Sequence, residues 1–167
     1  MIINHPTYLI AELAGDVVDL VTGCRQRFNP DHDWPVDITL AGSSGIGTIK
    51  EGQDLDVVIE TLTPIIEAHR FIDVRFLSAE RFPNTGIYYL APERDHFDTL
   101  HQAIATSGVR FNSNPWPYNP HCTLRAGAEP IHECDQLIEE LTLPNRTNIE
   151  CFSLYQPFSG NGRLHRF

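Results

Sequence analysis

The same order of secondary-structure signals occurs twice along the 167 residues, and this duplication restricts the fold more than any other feature of the chain. In the first copy YLIAEL, from Tyr8 to Leu13, reads as a strand. Val17, Leu20, Val21, Cys24 and Phe28 then fall on one helical face, with Asp16 placed to cap it. The run RFNP leads into a second strand, VDITLAG (Val36 to Gly42). Leu55, Val58, Ile59 and Leu62 mark a second helix ahead of Pro64, and FIDVRFL reads as the third strand.

The second copy repeats each step. GIYYLAP (Gly86 to Pro92) is a strand; Phe97, Leu100 and Ile104 form a helical face that Gly108 closes. RFN recurs at Arg110 to Asn112, and HCTLRAG follows as a strand. Cys134, Leu137, Ile138 and Leu141 mark the next helix ahead of Pro144, and NIECFSLY the last strand. Phe28 stands 11 positions before Thr39 and Phe111 stands 12 before Thr123. The expectation is one bilobal α/β (α+β) domain over 1–167, with β-α-β-α-β repeats at about 7–82 and 85–158 related by a pseudo-twofold axis.

Side chains alternate along a strand, so Asp37 and Thr39 share one face while Ile38 and Leu40 share the other. In the second copy His121 and Thr123 share a face, Cys122 and Leu124 take the apolar one, and Arg125 has the parity of His121. Each half thus sets a titratable group beside a hydroxyl. A lone His-x-Thr is common on strands; its echo at the matching place of a repeat singles this one out. Two hydroxyls, one or two proton-transfer groups and a guanidinium facing each other suit in-line displacement at a phosphodiester. The loop before His121 adds Trp116 and Tyr118 among prolines, with Tyr118 a candidate substrate contact.

The net charge of −10 opposes long-range attraction to polyphosphate, which excludes a long nucleic acid held by charge. Eleven of the twelve basic residues are arginine, Lys50 being the exception, and arginine suits bidentate phosphate contact. Cys24, Cys122, Cys134 and Cys151 are widely spaced and are read as reduced. No signal peptide or membrane span is legible, so a cytoplasmic protein acting as a monomer is expected. DHD at Asp31 to Asp33 and HEC at His132 to Cys134 match no established metal spacing. AGSSGIG, after the first motif, lacks the pattern of a nucleotide loop and reads as a turn, and no cofactor is expected.

The paired motifs, their spacing and the repeated element order resemble the two-histidine (2H) phosphoesterase superfamily, which includes the bacterial 2'-5' RNA ligase-like cyclic phosphodiesterases. The resemblance covers nearly the whole chain. It implies antiparallel sheets forming a central groove with helices outside. It also implies metal-free opening of a 2',3'-cyclic phosphate or a related 2'-5' or 3'-5' linked nucleotide, and a small nucleotide or RNA-end phosphate as partner. Residue by residue, it makes His121 the acid/base and has Thr39 and Thr123 hold the phosphate; Arg125, by its parity with His121, is a candidate to assist.

Asp37 departs from that pattern, because the family has histidine there. An ordinary aspartate titrates near ~3.9, so at neutral pH it is an ionised, weak base that repels a phosphodiester, and it donates a proton only if burial raises it strongly. It would then orient a proton donor or act as a weak base. His32, in the loop before the first motif, and His165, in the basic tail RLHRF, are candidates to fill the missing place. Two functions follow: a 2H-type phosphoesterase with a weakened first motif, or a protein that keeps the groove for a nucleotide or RNA end without turnover.

Overall fold

The computed structural model describes residues 1–157 and 162–167. Along the chain run β1 (Tyr8–Gly15), α1 (Asp16–Phe28), β2 (Asp37–Ala41), α2 (Leu55–Ala68) and β3 (Phe76–Arg81). Then come β4 (Tyr88–Pro92), α3 (Asp95–Ala105), β5 (Cys122–Arg125), α4 (His132–Glu140), β6 (Thr147–Tyr155) and β7 (Arg163–Arg166). The repeated β-α-β-α-β order read from the sequence is present, with β7 added at the end. The fold is α+β, with two antiparallel sheets ordered β2-β1-β6-β7 and β3-β4-β5.

The two copies interleave. Each sequence half gives its first two strands to one sheet and its third to the other, so β6 pairs with β1 and β3 pairs with β4. In both sheets the second strand of the copy, β2 or β5, is therefore an edge, and these two edges lie against each other. The aspartate motif sits on β2, and the histidine motif on β5 with His121 immediately ahead of its first residue.

Four local expectations are corrected. Asp16 does not cap α1: Gly15 occupies that position at φ 94°, with no side-chain cap, and Asp16 lies in the first turn. The second helix does not stop at Pro64 but runs to Ala68. Pro64 is exposed, so the carbonyl that loses its donor is left to water. FIDVRFL does not form one strand. Its first part bonds β6, through Val74 N to the Thr147 carbonyl at 2.9 Å and Ile149 N to the Ile72 carbonyl at 2.7 Å. Only from Phe76 does it pair with β4, and it then continues to Arg81. The tail 163–166, read as a basic terminus, is a strand on β6.

The helical stripes account for the core. Val17, Val21, Leu55, Val58, Leu62, Phe97, Leu100, Ile104 and Cys134 are buried against the apolar faces of the sheets, where Ile38, Leu40, Leu90, Cys122 and Leu124 lie. All four cysteines are free and buried. Because β1 gains one neighbour from the far half, neither half has a complete sheet. Residues 1–84 expressed alone should give no cooperative thermal transition, and co-expression with 85–167 should restore one; circular dichroism melting of both samples checks this.

Candidate active site

Edge strands leave one row of backbone groups without a sheet partner. On β5 the Thr123 carbonyl receives two bonds from Arg25 of α1, from Nε at 3.2 Å and Nη2 at 2.9 Å. The remaining nitrogen of the fork, Nη1, donates to the carbonyls of Trp34 at 2.7 Å and Pro35 at 3.1 Å, in the loop that enters β2. One buried guanidinium therefore ties the second motif to the approach of the first. On β2 the Thr39 carbonyl accepts from the Tyr118 hydroxyl at 3.2 Å, and the Leu40 carbonyl from His101 Nδ1 at 2.7 Å. His101 and Tyr118 stack with centroids 3.7 Å apart.

The motif loops are also bonded to one another. Gly45 N donates to the Trp116 carbonyl at 2.9 Å, and Asn119 N to Ser44 Oγ at 3.2 Å. Gly45 has φ 71°, and an added Cβ would stand 2.4 Å from His101 Cε1, so AGSSGIG serves as a close-packed turn.

His121 points its Nδ1 at the Asn119 carbonyl, 2.7 Å away. A carbonyl only accepts, so Nδ1 carries the hydrogen and Nε2 is left with its lone pair. The ring stands edge-on to Phe82 at 5.2 Å and to Tyr89 at 5.5 Å. Burial lowers the His121 pKa and the Asn119 bond only partly offsets it, so the imidazole is neutral at pH 7. Tyr89 lies directly opposite Thr123, and its hydroxyl donates to Glu80 Oε2 at 2.9 Å. Burial and then Glu80 push that phenol up to about 12.

Asp37 lies opposite Glu12 in the β1–β2 register and accepts from Thr39 Oγ1 at 3.2 Å. Its residue is 8% exposed, and burial drives its pKa up to about 7 against the pull of Arg25 and Thr39, with Glu12 adding a smaller push. Asp37 is thus the buried case that the sequence reading set apart, a carboxyl that carries its proton part of the time at neutral pH. Glu12 is also buried, which favours its proton, but Arg163, Ser153 and the nearby arginines hold it below the usual range. Two carboxyls face each other, one kept ionised by an arginine and one poised to carry a proton.

The other candidates are placed elsewhere. The parity expected for Arg125 fails because a register shift between Tyr88 and Tyr89 sets it opposite Tyr88, whose hydroxyl bonds Asp135 of α4. Its Nη1 holds the carbonyls of Gly86 at 2.9 Å and Glu129 at 2.8 Å. Tyr118 uses its hydroxyl on the backbone of β2, as described. His165 pairs with Leu154, a core residue, so it is turned away from the face of Asp37. His32 stacks on Trp34 at 6.1 Å and makes no hydrogen bond to Asp37 among the described residues. Neither histidine fills the missing place.

Arg25, Glu12, Tyr89 and Glu80 escaped the sequence reading. Two of them carry a signal: Arg25 stands four residues after Val21 on an otherwise apolar helix face, and Glu12 interrupts an apolar strand. Such charges are buried only with partners.

A family model described as the 2'-5' RNA ligase superfamily matches residues 11–157. Among solved structures, E. coli LigT in apo form is 18% identical with a TM-score of 0.56, over 99% of this chain and 97% of that one. A crystal structure described as a phosphoesterase is 20% identical with a TM-score of 0.55, over 98% of each chain. E. coli LigT complexed with ATP is 18% identical with a TM-score of 0.55, over 98% of this chain and 96% of that one. No curated protein sequence matches the chain.

Two stability measurements check the electrostatics. Between the unfolded pKa near ~3.9 and the folded value of about 7, the unfolded chain ionises Asp37 while the folded one keeps the proton. Stability therefore falls as pH rises through that window, by on the order of a few kcal/mol. Asp37→Asn should lack this loss and exceed wild type in denaturant midpoint at pH 8 while matching it near pH 4. Arg25→Met strands the carbonyls of Thr123, Trp34 and Pro35 and should cost about 3 kcal/mol or more by urea unfolding.

Proposed function

The chain belongs to the 2'-5' RNA ligase superfamily, and on that premise we propose that it is a phosphoesterase acting on a 2',3'-cyclic phosphate or a short 2'-5' or 3'-5' linked nucleotide or RNA end. The observation that carries this reading is that the edge strands β2 and β5 lie against each other, bringing the Asp37–Thr39 and His121–Thr123 motifs together, and burial, which lowers the His121 pKa and raises that of Asp37, supports it. His121 is the general base and Asp37 the general acid. This is the form of the site in which an aspartate replaces histidine without losing a proton donor.

For a cyclic phosphate the step balances as follows. Water attacks phosphorus as His121 Nε2 takes its proton, and the P–O bond to one ribose oxygen breaks. That oxygen receives the proton from Asp37. Thr123, and Thr39 once its hydroxyl turns from Asp37 to the substrate, donate to the non-bridging oxygens, where charge builds. A carboxyl that carries its proton also avoids the repulsion an ionised Asp37 would impose on the ester. Exchange with solvent returns the proton to Asp37 and removes it from His121.

Chemistry on the protein side needs only these four residues, with Arg25 and Arg125 holding backbone rather than substrate. A small nucleotide as ligand is supported by LigT, solved with ATP and with 3'-AMP.

The dependence of kcat/KM on pH for 2',3'-cyclic nucleotides should be a narrow bell. Its acid limb lies below the ordinary histidine value, from His121, and its alkaline limb lies near 7, from Asp37. His121→Ala and Asp37→Asn should each cut the rate by about 10² to 10⁴, and Asp37→Asn should also abolish the alkaline limb. Equal, background turnover by wild type and His121→Ala, with a nucleotide still bound, would instead identify a binding protein.

A further inference from the structure

We propose that Asn119 is a positioning residue of the site: its side chain, gripped by Arg94, fixes the carbonyl that keeps the hydrogen of His121 on Nδ1 and leaves Nε2 free to act as the base. The inference rests on the phosphoesterase reading above and adds what prepares its base. A neutral imidazole carries one ring hydrogen, and its surroundings decide on which nitrogen. His121 Nδ1 meets the Asn119 carbonyl at 2.7 Å. If that hydrogen moved to Nε2, the ring would present a donor to the attacking water and could not take its proton.

The carbonyl depends on Asn119 for its place. Asn119 precedes Pro120, whose nitrogen bears no hydrogen, so the peptide plane between them offers no donor as an anchor. β5 begins only at Cys122, so the sheet does not fix that plane. The other polar groups of Asn119 do. Its backbone N–H donates to Ser44 Oγ at 3.2 Å. Its Oδ1 accepts from Arg94 Nη1 at 3.2 Å, and Arg94 Nη2 holds the Tyr118 carbonyl at 3.0 Å. Arg94 is braced in turn by Asp98, through Nε to Oδ2 at 3.1 Å and Nη2 to Oδ1 at 3.1 Å.

The carboxamide has one orientation. A guanidinium only donates, so the atom facing Arg94 is the oxygen, and the amino end is left for the Tyr89 hydroxyl. There it partly offsets burial and Glu80, which raise the pKa of that phenol. Tyr89 stands edge-on to the His121 ring, so Asn119 acts on both contacts that orient the imidazole. The first copy supplies the contrast. Asp37 matches His121, so Pro35 matches Asn119, and the Pro35 carbonyl accepts from Arg25 Nη1 at 3.1 Å. A carboxyl has no ring hydrogen to place. The carbonyl held for an imidazole occurs in the copy that keeps the imidazole.

The test reads the His121 ring by two-bond proton–nitrogen NMR at pH 8, where burial keeps it neutral, with His121→Ala identifying its signals among the eight histidines. Wild type should show one tautomer, with the hydrogen on Nδ1. Asn119→Ala and Arg94→Met should each give averaged shifts of two tautomers, and Arg94→Lys, which keeps a donor, should restore most of the wild-type pattern. The Arg94 side chain is 48% exposed, so its variants should melt as wild type does, and Arg94→Met decides the matter if Asn119→Ala does not fold. In both variants kcat for 2',3'-cyclic AMP should fall about 10- to 100-fold with KM little changed, the range for groups that orient a metal-bound histidine. A wild-type tautomer in either variant overturns the positioning role while the phosphoesterase reading stands on its own turnover. A wild-type rate from a variant with mixed tautomers overturns it as well. Tautomers that shift as expected in a protein that hydrolyses no ester uphold the positioning of His121 and sink the phosphoesterase reading.

Discussion

The buried guanidinium of Arg25 holds the two motif strands in one arrangement. It is 6% exposed, and its three donor nitrogens reach the carbonyl of Thr123 in the second motif and those of Trp34 and Pro35 in the loop that leads into the first. Neither β2 nor β5 has a sheet neighbour on that flank, so without the fork the Thr123 carbonyl of β5 and the Trp34 and Pro35 carbonyls ahead of β2 would lose these bonds. A lysine offers a point charge and no planar fork, which makes arginine the suitable residue. His101 and Tyr118 perform the matching task on β2 from the second half. The pseudo-symmetry thus extends to how the site is assembled, although the residues that accomplish it differ between the copies.

That arrangement also explains how an aspartate is accommodated at the first motif. The residue facing the second motif is buried, lies across from Glu12 and, among the described residues, receives one side-chain hydrogen bond, from Thr39. Burial is the larger influence, and the positive charge of Arg25 restrains it. Arg25 therefore both positions the strands and limits how far Asp37 rises. Glu12 experiences similar burial but meets Arg163 directly and stays ionised. Two carboxyls on adjacent strands thus adopt different protonation states because one has a guanidinium in contact and the other has one only nearby.

Much of the architecture was legible because apolar periodicity is a local property. The stripe of Val17, Val21 and Cys24 and that of Phe97, Leu100 and Ile104 both proved to be the buried faces of α1 and α3. The alternation in DITL and CTLR correctly placed Ile38, Leu40, Cys122 and Leu124 in the core, although Asp37 on the other face is buried as well. The errors share a cause. Parity failed at Arg125 because a bulge lies in the pairing with β4, and FIDVRFL divided because its two ends pair with different sheets. Both depend on partners distant in sequence.

The amino-acid sequence by itself determined the duplication, the order of the elements, the apolar faces and the identity of the motif residues Asp37, Thr39, His121 and Thr123. These follow from spacing along one chain. Tertiary structure alone decided that the halves exchange their third strands, that Arg25 joins the motifs, and that His165 and Arg125 are turned to other duties. It also decided the charge of Asp37, because a pKa depends on burial and on neighbours brought from β1, α1 and β5, none of which spacing reveals.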